Sequence, residues 1–167
     1  MTNTSFVHAQ IVSNLVGALW NATADGPYVV LSSSMKVRVP IRDGDVCPDV
    51  CVIRGVPEFV GDATDVLANP AVIVEVLSDA TERFDRCEKF AGYLSLPSLV
   101  DYLLVATTRV GVEHYTRGDE GTWVLRDVGA SARLRLPGIA AEIAIDDVYR
   151  HVSLPDQDLV GDSTLAR

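Results

Sequence analysis

A glutamate inside an apolar run is the first residue in this sequence that chemistry has to explain. Glu75 is the single charge in Ala71-Val72-Ile73-Val74-Glu75-Val76-Leu77, and a buried carboxylate costs on the order of several kcal/mol to ionise unless it is paired, hydrogen-bonded or bound to a metal. It needs a partner. Asp49 follows Pro48 and leads into a second apolar run, Val50-Cys51-Val52-Ile53. If the two runs are adjacent strands, the carboxylates come within a few ångströms of each other. At about 4 Å and an effective dielectric near 20 their repulsion is roughly 4 kcal/mol, which a shared proton or cation relieves. Hard oxygen ligands favour magnesium or manganese over zinc. The plainer alternatives are a sheet edge or bulge that brings Glu75 to solvent, and an Asx turn at Asp49.

Asp85, Lys89 and Tyr93 follow at four-residue intervals and share one helical face. An exposed Asp85–Lys89 pair is an ordinary helical ion pair worth a few tenths of a kcal/mol. The glutamate just upstream makes a polar cluster the alternative. His8 stands at the front of the first helix, either on the surface or supporting the site. His114 alternates with Glu113 and Tyr115 and is expected as a half-exposed strand residue, and His151 lies near the tail. Histidines so dispersed have no zinc spacing. Cys47, Cys51 and Cys87 contain no CxxC pair, and buried thiols are the expectation.

These groups have to be held by regular elements. Val12, Leu15, Val16 and Leu19 give residues 6–20 one apolar helical face, closed by Asp25-Gly26-Pro27. Residues 28–31 and 35–39 look like the arms of a hairpin with Lys36 and Arg38 on one face, and 54–69 reads as a surface excursion. The run 71–77 has the pattern of a central strand covered on both faces. Ser78 or Thr81 can cap a following helix that packs through Phe84, Cys87, Phe90 and Leu94 and stops at Pro97. Residues 101–105 form another buried strand, and 109–116 with 122–128 a second hairpin about Gly118-Asp119-Glu120-Gly121. Short extended pieces at 134–136 and 143–145 precede a last helical turn near 147–151. The order predicts an α/β, mixed α+β domain over 1–154, with a central mixed sheet flanked by helices and a polar tail at 155–167.

The length of 167 residues suits one core. With 14 basic against 23 acidic residues the formal net charge is −9, which disfavours nonspecific attraction to a phosphate backbone. No apolar run approaches the roughly 20 residues that span a bilayer, and the start lacks a secretion signal, so no membrane partner and a cytoplasmic location are expected.

Several separated pieces carry a family resemblance. Pro48-Asp49-Val50, Asn69-Pro70, Val74-Glu75-Val76-Leu77-Ser78-Asp79-Ala80-Thr81, Asp85, Lys89-Phe90, Tyr93, Leu96-Pro97-Ser98-Leu99, Tyr102-Leu103-Leu104-Val105, Val110-Gly111-Val112-Glu113-His114-Tyr115 and Trp123 resemble the Uma2-like putative restriction endonuclease family. The likeness runs from about His8 to Val152. It implies the PD-(D/E)xK restriction-endonuclease-like core, a Mg2+ or Mn2+ ion on Asp49 and Glu75, and Lys89 in place of the lysine more often found on the glutamate's strand, where Leu77 stands here. Asp85, Tyr93 and His8 would support the site. DNA or another nucleic acid is the implied substrate, and a homodimer the implied assembly. Members commonly carry an acidic stretch before the first helix that has no counterpart here, and weakened metal binding is the expectation. Two function classes follow: a divalent-metal-dependent endonuclease, or a catalytically weak or inactive nuclease-fold protein serving as a dimeric interaction or regulatory module.

Overall fold

A computed structural model describes residues 5–32, 34–40, 44–77 and 89–155. Helix α1 (Phe6–Ala22) starts where the Ser5 side chain accepts the His8 N–H at 3.2 Å, and buries Ile11, Leu15 and Leu19 at successive four-residue steps. It stops at Thr23, whose hydroxyl donates to the Leu19 carbonyl at 2.7 Å. The strands are β1 (Tyr28–Ser32), β2 (Lys36–Arg38), β3 (Asp45–Val46), β4 (Val50–Arg54), β5 (Val66–Leu67), β6 (Pro70–Val76), β7 (Asp101–Val105), β8 (Val112–Arg117), β9 (Trp123–Val128), β10 (Arg133–Leu136) and β11 (Ala141–Ala144). Helix α2 (Phe90–Leu94) precedes β7, and α3 (Ile145–Val148) follows β11.

Six strands form the main sheet in the order β1-β4-β6-β7-β8-β9. Its neighbours are antiparallel except β6 and β7, so the sheet is mixed. A parallel pair needs a crossover rather than a tight turn, and α2 lies in that connection. Every residue of β6 and β7 is buried, which is why these two runs are apolar almost without interruption. One face, with Val50, Val52, Val72, Val74 and Leu103, packs on α1, α3 and the β10–β11 hairpin. The other, with Cys51, Ile53, Ile73, Tyr102 and Leu104, packs on Tyr93, Leu96 and Leu99.

The first expected hairpin does not form. β1 pairs with β4, whereas β2 pairs with β3 and, in parallel, with β5. Alternation at 36–38 set the faces of the strand but not its partner; burial of the apolar β4 on both sides demanded two neighbours, and β1 is one of them. The 54–69 excursion is anchored by Asn69, which donates to the Val56 carbonyl at 3.0 Å and accepts the Glu58 N–H at 2.9 Å, and it contributes the buried β5. The second hairpin is β8–β9. Cys51 is buried as expected but Cys47 is exposed, and Ser78, Thr81, Phe84 and Cys87 lie outside the described residues. No helix among the described residues is long and apolar enough to cross a membrane.

His114 departs from the half-exposed expectation: it is 2% exposed beside a fully buried Asp101. Its Nε2 lies 2.7 Å from Asp101 Oδ1, while Asp101 Oδ2 accepts the Gly138 N–H at 2.7 Å and so ties the turn between β10 and β11 to the sheet. A β-carbon at position 138 would stand 2.8 Å from Asp101 Oδ2 and 3.2 Å from the Ala71 carbonyl oxygen. Gly138→Ala should therefore lower unfolding free energy by about 1–3 kcal/mol through overpacking. Urea denaturation checks this, and an unchanged midpoint and slope would show that the turn yields freely.

Candidate functional site

The end of the sheet where β4 begins and β6 finishes gathers side chains from both layers. Val50 opposes Val74 at this end of the antiparallel β4–β6 register, so the next residue on each side, Asp49 and Glu75, comes to the same end of the sheet. Asp49 just precedes the strand, and its Oδ2 accepts the backbone N–H of Val76 at 2.8 Å. The same oxygen lies 3.2 Å from His8 Nε2, which arrives from α1 on the other face of the sheet. A hydrogen bond to Asp49 raises the His8 pKa above its ordinary value, more strongly than burial of the ring lowers it, and the charges of Asp49 and Glu75 add to the rise.

Glu75 is 2% exposed and is held from the opposite layer. Its Oε1 accepts from Lys89 Nζ at 3.0 Å and from the fully buried Tyr93 hydroxyl at 2.8 Å. These contacts answer the question that the strand glutamate posed. Lys89 and Tyr93 share a face because they are one helical turn apart. That face is pressed on the sheet by Phe90, whose ring centroid is 5.7 Å from Tyr102 and 4.5 Å from Tyr115. Arg117 fixes the chain just past α2 by donating to the carbonyls of Leu94, Leu96 and Leu99, at 3.2, 2.6 and 2.7 Å. Its guanidinium also lies over the Trp123 ring, 4.6 Å from the centroid.

The structure thus brings Asp49, Glu75, Lys89, Tyr93 and His8 to one end of the sheet, while Asp85 lies outside the described residues. His114 and His151 are not part of it. The Val76 amide is a member that sequence reasoning missed, because a backbone donor leaves no mark in residue type. Each carboxylate has one oxygen engaged by two donors. Asp49 Oδ1 has no hydrogen-bond partner among the described residues. No group of three or more His, Cys, Asp or Glu side chains able to hold a metal occurs among the described residues. Two carboxylates are the hard oxygen donors that Asp49 and Glu75 bring to this sheet end, so a cation held there would draw its remaining ligands from water, backbone oxygen or substrate. Burial pushes the Cys51 thiol up to about 12, which removes it as a thiolate nucleophile at neutral pH.

The profile of the Uma2 family, described as putative restriction endonuclease, matches residues 1–146. An uncharacterized protein of Synechocystis, slr1290, is 34% identical over 143 residues, covering 86% of this chain and 74% of that one. A second, sll1609, is 31% identical over 121 residues, covering 72% and 68%. The crystal structure of a putative nuclease belonging to DUF820 from Anabaena variabilis superimposes with a TM-score of 0.69 at 16% identity, over 87% of this chain and 81% of that chain. At that identity the likeness shows a shared fold.

Two measurements probe these contacts in chelator-treated protein. Tyr93→Phe deletes a buried donor to a carboxylate and should lower unfolding free energy by about 1–3 kcal/mol; no loss would mean that Glu75 does not depend on the hydroxyl. For His8 the folded pKa lies above the unfolded value near 6.5. Its contribution is fully present below that unfolded value and is lost as pH rises through the folded one. The stability difference between wild type and His8→Ala should accordingly shrink between mildly acidic and alkaline pH, and a difference that grows would reverse the assignment.

Proposed function

This chain belongs to the Uma2 family, and from that premise we propose that it is a divalent-cation-dependent endonuclease that hydrolyses nucleic-acid phosphodiester bonds. The observation that carries the reading is that Asp49, bonded to the Val76 amide, and Glu75, bonded to Lys89, meet at one end of the sheet. Asp49 and Glu75 would hold Mg2+ or Mn2+. The cation, when bound, would polarise a phosphoryl oxygen and acidify bound water.

Lys89 would then act as a positioned ammonium donor. Glu75 Oε1 and the aromatic packing of Phe90 keep it on the glutamate, where it would orient the attacking water or offset charge developing on the phosphoryl group. Tyr93 fixes Glu75 and lies too deep to touch substrate. Net acidity does not oppose this chemistry at short range, because a bound divalent cation inverts the local field.

One observation favours a second reading. Lys89 offsets Glu75 and His8 faces Asp49, so both carboxylates have partners without any ligand. A noncatalytic scaffold that keeps the cluster for its own stability would look the same. Calorimetric titration with manganese, paired with cleavage of plasmid DNA and of single-stranded RNA, separates the two. Glu75→Ala should abolish binding and cleavage. Lys89→Ala should bind manganese within a few-fold of wild type yet cleave about a hundredfold more slowly, the order lost when one charge-stabilising donor is removed. Absence of binding at millimolar manganese, with wild-type cleavage no faster than Glu75→Ala, would leave the scaffold as the account.

A further inference from the structure

His8 occupies an uneconomical position for a residue in the first turn of a helix. Such a histidine can turn its ring to water, yet here the side chain is 15% exposed and its Nδ1 is buried without a hydrogen-bond partner among the described residues. The contact obtained in exchange is the one between Nε2 and Asp49 Oδ2, and an ionised carboxylate accepts, so Nε2 must carry the proton and donate. Asp49 stands before the first residue of β4 and has no ladder of its own to hold it. The Val76 amide alone would leave its carboxyl group one point of attachment. Donors from two different elements, α1 and β6, meet on the same oxygen and fix its orientation.

We propose that His8 is a positioning residue that locks the Asp49 carboxylate through Oδ2 and so leaves Oδ1 as the oxygen offered to a cation. The proposal rests on Asp49 being a cation ligand, but its local part does not: without His8, Asp49 rotates and Val76 N–H loses a fixed acceptor. Outer partners of metal-ligating groups typically change metal affinity by about 10- to 100-fold when removed.

The test uses the full chain in three forms, wild type, His8→Ala and His8→Gln, the last retaining a side-chain N–H donor near the place of Nε2. In chelator-treated protein, NMR hydrogen exchange should show the Val76 amide exchanging about tenfold faster in His8→Ala while Val74, deeper in the same strand, stays protected. Manganese titration should show affinity weakened by about tenfold in His8→Ala and restored to within about threefold in His8→Gln. Equal loss of protection at Val74 and Val76, with no rescue by glutamine, would reduce His8 to a general stabiliser and overturn the proposal. So would unchanged Val76 exchange in His8→Ala. A wild type that binds no manganese would instead defeat the cation reading, and the exchange at Val76 would then decide the positioning of Asp49 by itself.

Discussion

A carboxylate that is 2% exposed, in a strand whose other six residues are apolar or proline, requires donors, and an ammonium and a hydroxyl reach it. That requirement organises the layer above it. Lys89 and Tyr93 can both meet Glu75 Oε1 only if α2 lies on this face with one particular helical phase, and Phe90, Tyr102 and Tyr115 pack to hold that phase. The crossover joining β6 to its parallel neighbour β7 must therefore do more than turn the chain. It must deliver a lysine one residue before a short helix and a tyrosine one turn later, and Arg117 on β8 clamps the carbonyls that leave that helix.

The other face solves a different problem. Helix α1 buries Ile11, Leu15 and Leu19 against the sheet, and the same helix carries His8 at its front to the sheet end. Asp49 and Glu75 are thus supported from opposite layers at one end of the sheet. At the far end, where β7 begins, Asp101 is buried with His114 and the Gly138 amide. Both ends of the central strands consequently carry buried polar groups satisfied by distant elements, and misplacing either layer would leave a carboxylate without its donors, at a cost of about 3–5 kcal/mol for a broken buried pair.

Much of this was legible because burial writes itself into residue type. The uninterrupted run at 71–77 with one glutamate announced both a central strand and a charge in need of partners, and the four-residue spacing of Lys89 and Tyr93 announced a shared face. Pairing was less legible. Residues 36–38 alternate cleanly, yet alternation says nothing about whether the partner is seven residues away or thirty, and β2 pairs at both distances, with Asp45 and Val66 among its partners. His114 was misjudged because a strand's two faces look equivalent until the hairpin that covers one of them, β10–β11, is placed. The Val76 amide and the His8–Asp49 contact, 41 residues apart, depended on three-dimensional closure that no local pattern encodes.

Charge completes the argument, because the bulk composition and the site point in opposite directions. A net charge of −9 slows the encounter with a polyanion, and several basic side chains are already committed to surface pairs, Lys36 with Asp65, Arg109 with Asp127 and Arg133 with Glu142. At physiological ionic strength, however, exposed charges farther than about 8 Å from the site are largely screened. What acts there is the local set: two carboxylates, one half-buried ammonium and a histidine whose proton is held by Asp49. With two carboxylates against one ammonium, such a set does not by itself suit an anionic ligand, and on the reading proposed above a divalent cation would have to supply the missing positive charge. On that reading the cation would have to bind before the anion, and the acidic surface would act on how often the anion arrives rather than on whether it fits.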